Sequence, residues 1–257
     1  MRTIRTIREL RAALDPLRAG RIGLVPTMGA FHTGHEALFA AAREECDSVA
    51  VSLFVNAAQF GDEADLERYP RDEERDAAVA AEAGVDLLFA PGAAEMYPAG
   101  YQTWIDVTEL GSILEGTARP GHFRAVATVC CKLFNIVRPD AAYFGQKDAQ
   151  QVEVVRRMVG DLDLEVELRV VPTVRDEDGL ALSSRNARLS RADRERATAL
   201  PRALALGDPA AARSALNGLE VDYVEVAPFD PPVLAAAVRV GGVRLIDNVV
   251  LAKGIDR

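Results

Sequence analysis

The chain is poor in imidazole, thiol and net positive charge. Of 257 residues, three are histidine and three are cysteine. Cys130 and Cys131 are adjacent and flanked by apolar residues, and there is no Cys-x-x-Cys pair. Those facts exclude a disulfide framework and argue against a zinc site. Lysine and arginine number 30 against 39 acidic residues, a net charge of −9. A general nucleic-acid binder needs a basic face, so that class is set aside. No apolar run is long enough to span a bilayer. The opening "MRTIRTIRELRAALDPLRAG" reads as an amphipathic helix pattern broken by charges, not as a signal peptide. The expectation is a cytoplasmic protein with neither membrane nor nucleic acid as partner. An acidic surface still allows a local basic pocket for a small anion.

What is present is an apolar fraction of 49%, enough for a sizeable core. At about 150 residues per domain, the length fits one large or two unequal domains. Strand-like and helical patterns alternate through the first two-thirds. "RIGLVPT", "SVAVSLFVN", "VDLLFAP", "AAYFG" and "LEVELRVVPT" read as strands, with Pro26 stopping the first after Leu24 and Val25. "HEALFAAAREEC", "RDEERDAAVAAEAG", "HFRAVATVCCKLFNIV" and "DAQQVEVVRRMVGDL" read as helices. Such alternation implies right-handed βαβ crossovers and a parallel sheet covered on both faces. After Thr173 comes a polar, irregular stretch, then a helical run, "RADRERATALPRALAL", and three strand patterns close together. The expected fold class is α/β: a Rossmann-like parallel-sheet domain over residues 1–173, with a second, smaller α+β C-terminal domain over residues 174–257.

Two of the three histidines, His32 and His35, fall within four residues of "PTMGAFHTGH", where a strand gives way to a helix. Gly29 and Gly34 let the backbone turn and approach a ligand. Thr33 and Glu36 have capping-box spacing, so Thr33 is the expected N-cap. A helix N-terminus with two imidazoles is a site for phosphate. "FVNAAQFG" places Asn56 and Gln59, neutral amides suited to a small polar substrate, just beyond another strand. "FGQKDAQQ" places Gly145, Gln146, Lys147, Asp148 and Gln151 at a third strand-to-helix junction, where the lysine can meet phosphate as a point charge. "DGLALSSRN" offers Ser183, Ser184 and Arg185 as a clamp, and "ARPGHFRAV" offers Arg119 to neutralise an anion and His122 beside it. Each segment alone could be a capped surface turn. Together they point to a small, highly charged anion, with ATP the leading candidate. Asp76, in the acidic run "RDEERD", is a weak metal candidate and reads better as part of a solvated helix face.

The segments "PTMGAFHTGH", "FVNAAQFG", "DLERYPR", "GHFRAVATV", "KLFNIVRPDAAYFGQKDAQQ" and "VRDEDGLALSSRN", in that order, resemble the pantoate–β-alanine ligase (pantothenate synthetase) family of the HxGH nucleotidyltransferase superfamily. The resemblance implies ATP-dependent condensation of pantoate with β-alanine to pantothenate, AMP and pyrophosphate through a pantoyl adenylate, with Mg²⁺ and as a homodimer. It implies that ATP is held by the segment containing Pro26, Met28, Gly29, His32, Gly34 and His35, by Gly145 to Asp148, by Val174 and by Leu182 to Arg185. His35, His32, Lys147 and Arg185 then carry the chemistry, with His35 as proton donor. Asn56, Gln59, Arg119 and Gln151 bind pantoate and β-alanine, and the metal ligands stay unknown. Leu182 stands where the family has methionine, Ala57 where proline is usual and Ala125 where glycine is common. The runner-up is another HxGH nucleotidyltransferase acting on a different small substrate, and a third reading is a non-catalytic nucleotide sensor.

Overall fold

The computed structural model describes residues 1–251. The chain forms two compact units: residues 1–145 with 150–171, and residues 146–149 with 172 onward.

In the first unit the elements run β1 (Arg2–Ile4), α1 (Ile7–Leu14), β2 (Ile22–Thr27), α2 (Thr33–Glu45), β3 (Ser48–Leu53), α3 (Glu63–Glu67), α4 (Glu73–Glu82) and β4 (Leu87–Phe89). They continue with α5 (Ala93–Met96), α6 (Glu115–Ala118), α7 (His122–Val137), β5 (Ala141–Gly145), α8 (Ala149–Asp161) and β6 (Glu167–Val171). The six strands are all parallel, in the order β1-β4-β3-β2-β5-β6. After β1, which lies at one edge, the chain enters mid-sheet at β2, builds outward through β3 and β4 toward β1, then returns to lay down β5 on the other side of β2. That reversal puts a topological switch point between β2 and β5, where open parallel sheets bind ligands beyond their strand ends.

Both faces are covered, as parallel sheets require. Successive residues of a strand point to opposite faces. Leu24 and Ala50 join Leu10 and Leu14 of α1 and Val126, Cys130 and Phe134 of α7. Val25, Val49 and Val51 join Phe39 and Ala42 of α2 and Ala80 of α4.

Two expectations fail here. The N-terminal twenty residues are not one helix pattern: Arg2–Ile4 is a strand whose partner is the distant β4. Pro26 does not stop β2, which continues through it to Thr27 in register with β3. Pairing with β5 ends at Leu24. The proline therefore sits where that ladder needs no donor from it, the condition under which strands accept proline.

In the second unit, an irregular segment with an isolated antiparallel bridge, Arg175–Ala181, leads into α9 (Arg191–Ala197), α10 (Ala199–Leu204) and α11 (Pro209–Ala215). The expected single helical run is split at Thr198, and Pro201 lies in the first turn of α10, where a missing N–H costs little. Strands β7 (Glu220–Ala227), β8 (Val233–Val240) and β9 (Val243–Val250) form an antiparallel sheet. Its inner face packs Val224, Leu234, Val238 and Leu245 on Leu200, Leu204 and Leu216.

Candidate active site

Strand β2 hands the chain to the two-histidine segment through a constrained turn. Thr27 Oγ1 donates to the Ser52 carbonyl at 2.6 Å and accepts from the Gly29 N–H at 3.3 Å. Gly29 has φ +86° and Ala30 φ +55°. A Cβ on Gly29 would come within 2.6 Å of Leu53 Cδ1 and 2.8 Å of Asp76 Oδ2, so the turn needs glycine there. Ala30 in the left-handed region costs about 1 kcal/mol. Asp76 offsets this: its two carboxylate oxygens accept the Ala30 and Phe31 N–H groups, each at 2.7 Å. The solvated-face expectation for Asp76 is therefore wrong. The residue is 1% exposed.

Helix α2 is capped differently from the sequence expectation as well. The N-cap is His32, not Thr33. His32 Nδ1 accepts from the Gly34 N–H at 3.1 Å, and His35 Nδ1 accepts from the His32 N–H at 3.3 Å. This is a capping box built from imidazoles, with ring centroids 4.2 Å apart. A ring nitrogen that accepts carries no proton, so in both rings the proton sits on Nε2. Neutral His32 and His35 thus offer Nε2–H donors at a helix N-terminus without becoming cations. Charging either ring would remove an acceptor from the cap.

The neutral amides lie beyond β3. Asn56 Nδ2 donates to Gln59 Oε1 at 2.9 Å and to the Ala125 carbonyl at 3.3 Å. Gln59 is thereby oriented, its Oε1 taken by Asn56 and its Nε2 amide left as the donor end. The Gln59 carbonyl accepts from Arg119 Nη2 at 3.3 Å and from His122 Nδ1 at 3.0 Å, and Arg119 Nη1 lies 3.2 Å from His122 Nε2. Arg119, expected to face an anion, is also a brace of Gln59. Asn56 Oδ1 and the Tyr97 hydroxyl are both buried, and the two side chains interact. Burial pushes the Tyr97 phenol up to about 12, so it stays a donor. Sequence reasoning passed over Tyr97, since nothing local marks it. Nothing local to His122 shows that its partner is the Gln59 carbonyl.

Beyond β5, Gly145 has open space where a Cβ would stand, which suits close approach of a ligand. Gln146–Asp148 form one 3₁₀ turn, and Gln151 lies on the first turn of α8. Within the second unit, Asn248 of β9 grips that turn. Its Nδ2 donates to the carbonyls of Gln146 and Lys147, both at 2.9 Å, and its Oδ1 accepts from Gln146 Nε2 at 3.1 Å. Beside it, Asp247 takes a bidentate ion pair from Arg175, at 2.6 and 3.0 Å. Lys147 Nζ lies 3.5 Å from Asp148 Oδ1. The serine–arginine segment has internal order: the Val174 carbonyl accepts from Leu182 N–H at 3.0 Å, and Ser183 Oγ accepts from Arg185 N–H at 3.3 Å to cap the turn Ser184–Arg188. Among the described residues no group of three or more His, Cys, Asp or Glu could hold a metal ion.

Comparison with known proteins agrees in sequence and in structure. The family described as pantoate-beta-alanine ligase matches residues 2–250. The pantothenate synthetase of Heliobacterium modesticaldum is 50% identical, covering 98% of this chain and 99% of its own. That of Chloroflexus aurantiacus is 51% identical over 98% of this chain and 97% of its own. The solved pantothenate synthetase of Thermus thermophilus superposes with a TM-score of 0.91 at 48% identity, covering 97% of this chain and 99% of that one. The pantoate-beta-alanine ligase of Francisella tularensis, complexed with beta-gamma ATP and beta-alanine, gives 0.88 at 35% identity over 97% of each chain. With nearly the whole chain matched at this level, the runner-up reading of a different HxGH nucleotidyltransferase falls away, and the chain belongs to the pantoate–β-alanine ligase family.

Proposed function

We propose that this chain joins pantoate to β-alanine in two half-reactions through a pantoyl adenylate. A free carboxylate resists amine attack because oxide would have to leave. In the first half-reaction the pantoate carboxylate oxygen attacks the α-phosphorus of ATP, and the bond to the bridging oxygen breaks to release pyrophosphate. In the second, the β-alanine nitrogen attacks the acyl carbon, the acyl–phosphate C–O bond breaks, AMP leaves and the amine gives up a proton. The carboxylate is already a nucleophile at neutral pH, so the first step needs positioning and charge neutralisation more than a base.

The observation that carries this reading is the imidazole capping box. Two Nε2–H donors at the N-terminus of α2 suit the phosphate oxygens of a nucleotide, and they need no protonation to do so. Lys147 and Arg185 are proposed as the cationic phosphate ligands, with Ser183 and Ser184 as hydroxyl donors. Gln59, oriented by Asn56, is proposed to bind the hydroxy acid, with Gln151 as a second contact. With Nδ1 engaged and Nε2 protonated, His35 has no place to receive the amine proton, so the adenylate phosphate is the better base. His35 fits a donor role instead.

The complex of the Francisella relative supports ATP and β-alanine as substrates here. Mg²⁺ fits as part of the nucleotide substrate, because the described residues form no metal cage and Mg²⁺ commonly rests on substrate phosphates and water. A homodimer in the cytoplasm completes the proposal, supported by the family resemblance. Among the described residues no helix is long and apolar enough to cross a membrane. Sedimentation velocity gives the mass directly.

The decisive experiment is exchange of labelled pyrophosphate into ATP without β-alanine. Exchange that requires pantoate is expected. AMP formed only when all three substrates are present, with no such exchange, would replace the adenylate by a concerted route.

A further inference from the structure

We infer that Asp76 is a positioning residue for the adenylation half-reaction, holding the strained turn that sets the orientation of His32 and His35. The inference rests on the adenylate reading above. Its ground is a division of labour along the chain. The turn Gly29–Ala30 takes two left-handed conformations in succession, one of them on a residue with a Cβ. Such strain persists only where the surroundings hold it. Asp76 holds it from α4, with one carboxylate oxygen on Ala30 N–H and the other on Phe31 N–H. Hydrogen bonds to an ionised acceptor are about twice as strong as neutral ones. The neighbouring Arg75 adds a donor to the Phe31 carbonyl at 3.4 Å.

The two residues so fixed lead directly into the capping box. Phe31 packs its ring against His35, centroids 5.3 Å apart, and edge-on against Phe39 at 5.1 Å. His32 follows it in the chain and supplies both the N–H received by His35 and the Nδ1 that receives Gly34. A shift of the Phe31 backbone therefore moves both rings and alters which nitrogen of each can carry a proton. Successive backbone N–H groups in such a turn form a concavity that binds anions. Here the fold supplies its own anion from α4, and both of its oxygens are committed to amides.

Asp76→Asn tests this, because an amide nitrogen facing a backbone N–H cannot accept. Two measurements are read on the full-length protein. Pantoate-dependent pyrophosphate exchange is expected to fall on the order of 10- to 100-fold, mainly in kcat, as for a small misplacement of reacting groups. Long-range ¹H–¹⁵N spectra of the three imidazoles are expected to show His32 and His35 leaving the Nε2–H form, while His122 keeps its own. Asp76→Glu keeps the charge but lengthens the arm. It is read the same way and decides the question if Asp76→Asn does not fold. A folded variant with both exchange and ring tautomers unchanged overturns the inference. Wild-type protein lacking pantoate-dependent exchange, with the tautomer change still seen in the variant, overturns the adenylate reading and leaves the positioning role standing.

Discussion

The imidazole of His122 donates from Nδ1 to the Gln59 carbonyl at 3.0 Å, while its Nε2 faces Arg119 Nη1 at 3.2 Å. A guanidinium can only donate, so Nε2 must accept and the proton belongs on Nδ1. This is the opposite tautomer to that of His32 and His35. One chain thus uses its three histidines in two protonation patterns, each set by the backbone it meets. His122→Ala is expected to destabilise the fold by about 1–3 kcal/mol, the cost of stripping a buried hydrogen-bond partner, and to raise the pantoate KM. His122→Asn, whose amide can stand in for Nδ1–H, is expected to recover part of both. Thermal melts and steady-state kinetics check it.

Gln59→Ala is expected to weaken pantoate binding more than ATP binding, because Asn56 fixes the Gln59 amide for a polar substrate group. Calorimetric titrations with each substrate showing the reverse order would remove Gln59 from that role.

His35→Asn separates capping from chemistry. Asparagine can reproduce the Nδ1 acceptor for the His32 N–H but cannot extend a donor to the position of Nε2. Stability is expected to stay within about 1 kcal/mol of wild type, as for a retained cap. Adenylation is expected to fall on the order of 100-fold, the usual loss for one electrostatic donor. Single-turnover formation of the adenylate is the readout, and a near-normal rate in a folded variant defeats the donor assignment.

Asn248→Ala removes three hydrogen bonds from the Gln146–Lys147 turn. The expected cost is about 1–3 kcal/mol in stability, with a raised KM for ATP and little change for pantoate. Equal changes in both KM values would show a general loosening instead.

Acid sensitivity has a traceable source away from the site. The hydrogen bond from Arg169 holds the Glu45 carboxyl below the usual carboxylate range, and that from Arg21 does the same for Glu167. A carboxyl held low in the folded state is anionic there at pH values where the unfolded chain already takes up protons. Its stabilisation is complete above the ordinary glutamate value of about 4.3 and is lost as pH falls through the lowered folded value. Both groups are exposed, so the contribution is small and screened by salt. Arg169→Ala is expected to return Glu45 most of the way, and Glu167 partly, to ordinary titration. Carboxyl ¹³C shifts against pH provide the check.

Local pattern carried the α/β alternation, α7, β5 and the three clustered strands of the second unit, because each depends on a period or a run within its own segment. It also marked out the candidate-site segments, since glycines, amides and histidines beyond strand ends are visible as such. Most of what it missed depended on partners remote in sequence. Arg2–Ile4 is a strand because β4 accepts it. Pro26 lies inside β2 because β5 has already stopped pairing. Asp76 in "RDEERD" looks like one more surface acid, and only the placement of α4 reveals two amides waiting for it. His32 displaced Thr33 as cap because an imidazole nitrogen can accept a backbone N–H as a hydroxyl does, a possibility that spacing rules for serine and threonine leave out.

The assignment of residues 146–149 to the second unit, with residues on either side in the first, bears on how this protein can be cut and recombined. A fragment ending at 171 would keep Gln146 and Lys147 but lose the strand that carries their Asn248 partner. A fragment starting at 172 would keep Asn248 with nothing to hold. Neither half is a cassette. Grafting, fragment complementation or circular permutation at that apparent boundary would split a four-residue splice whose two parents must be inherited together.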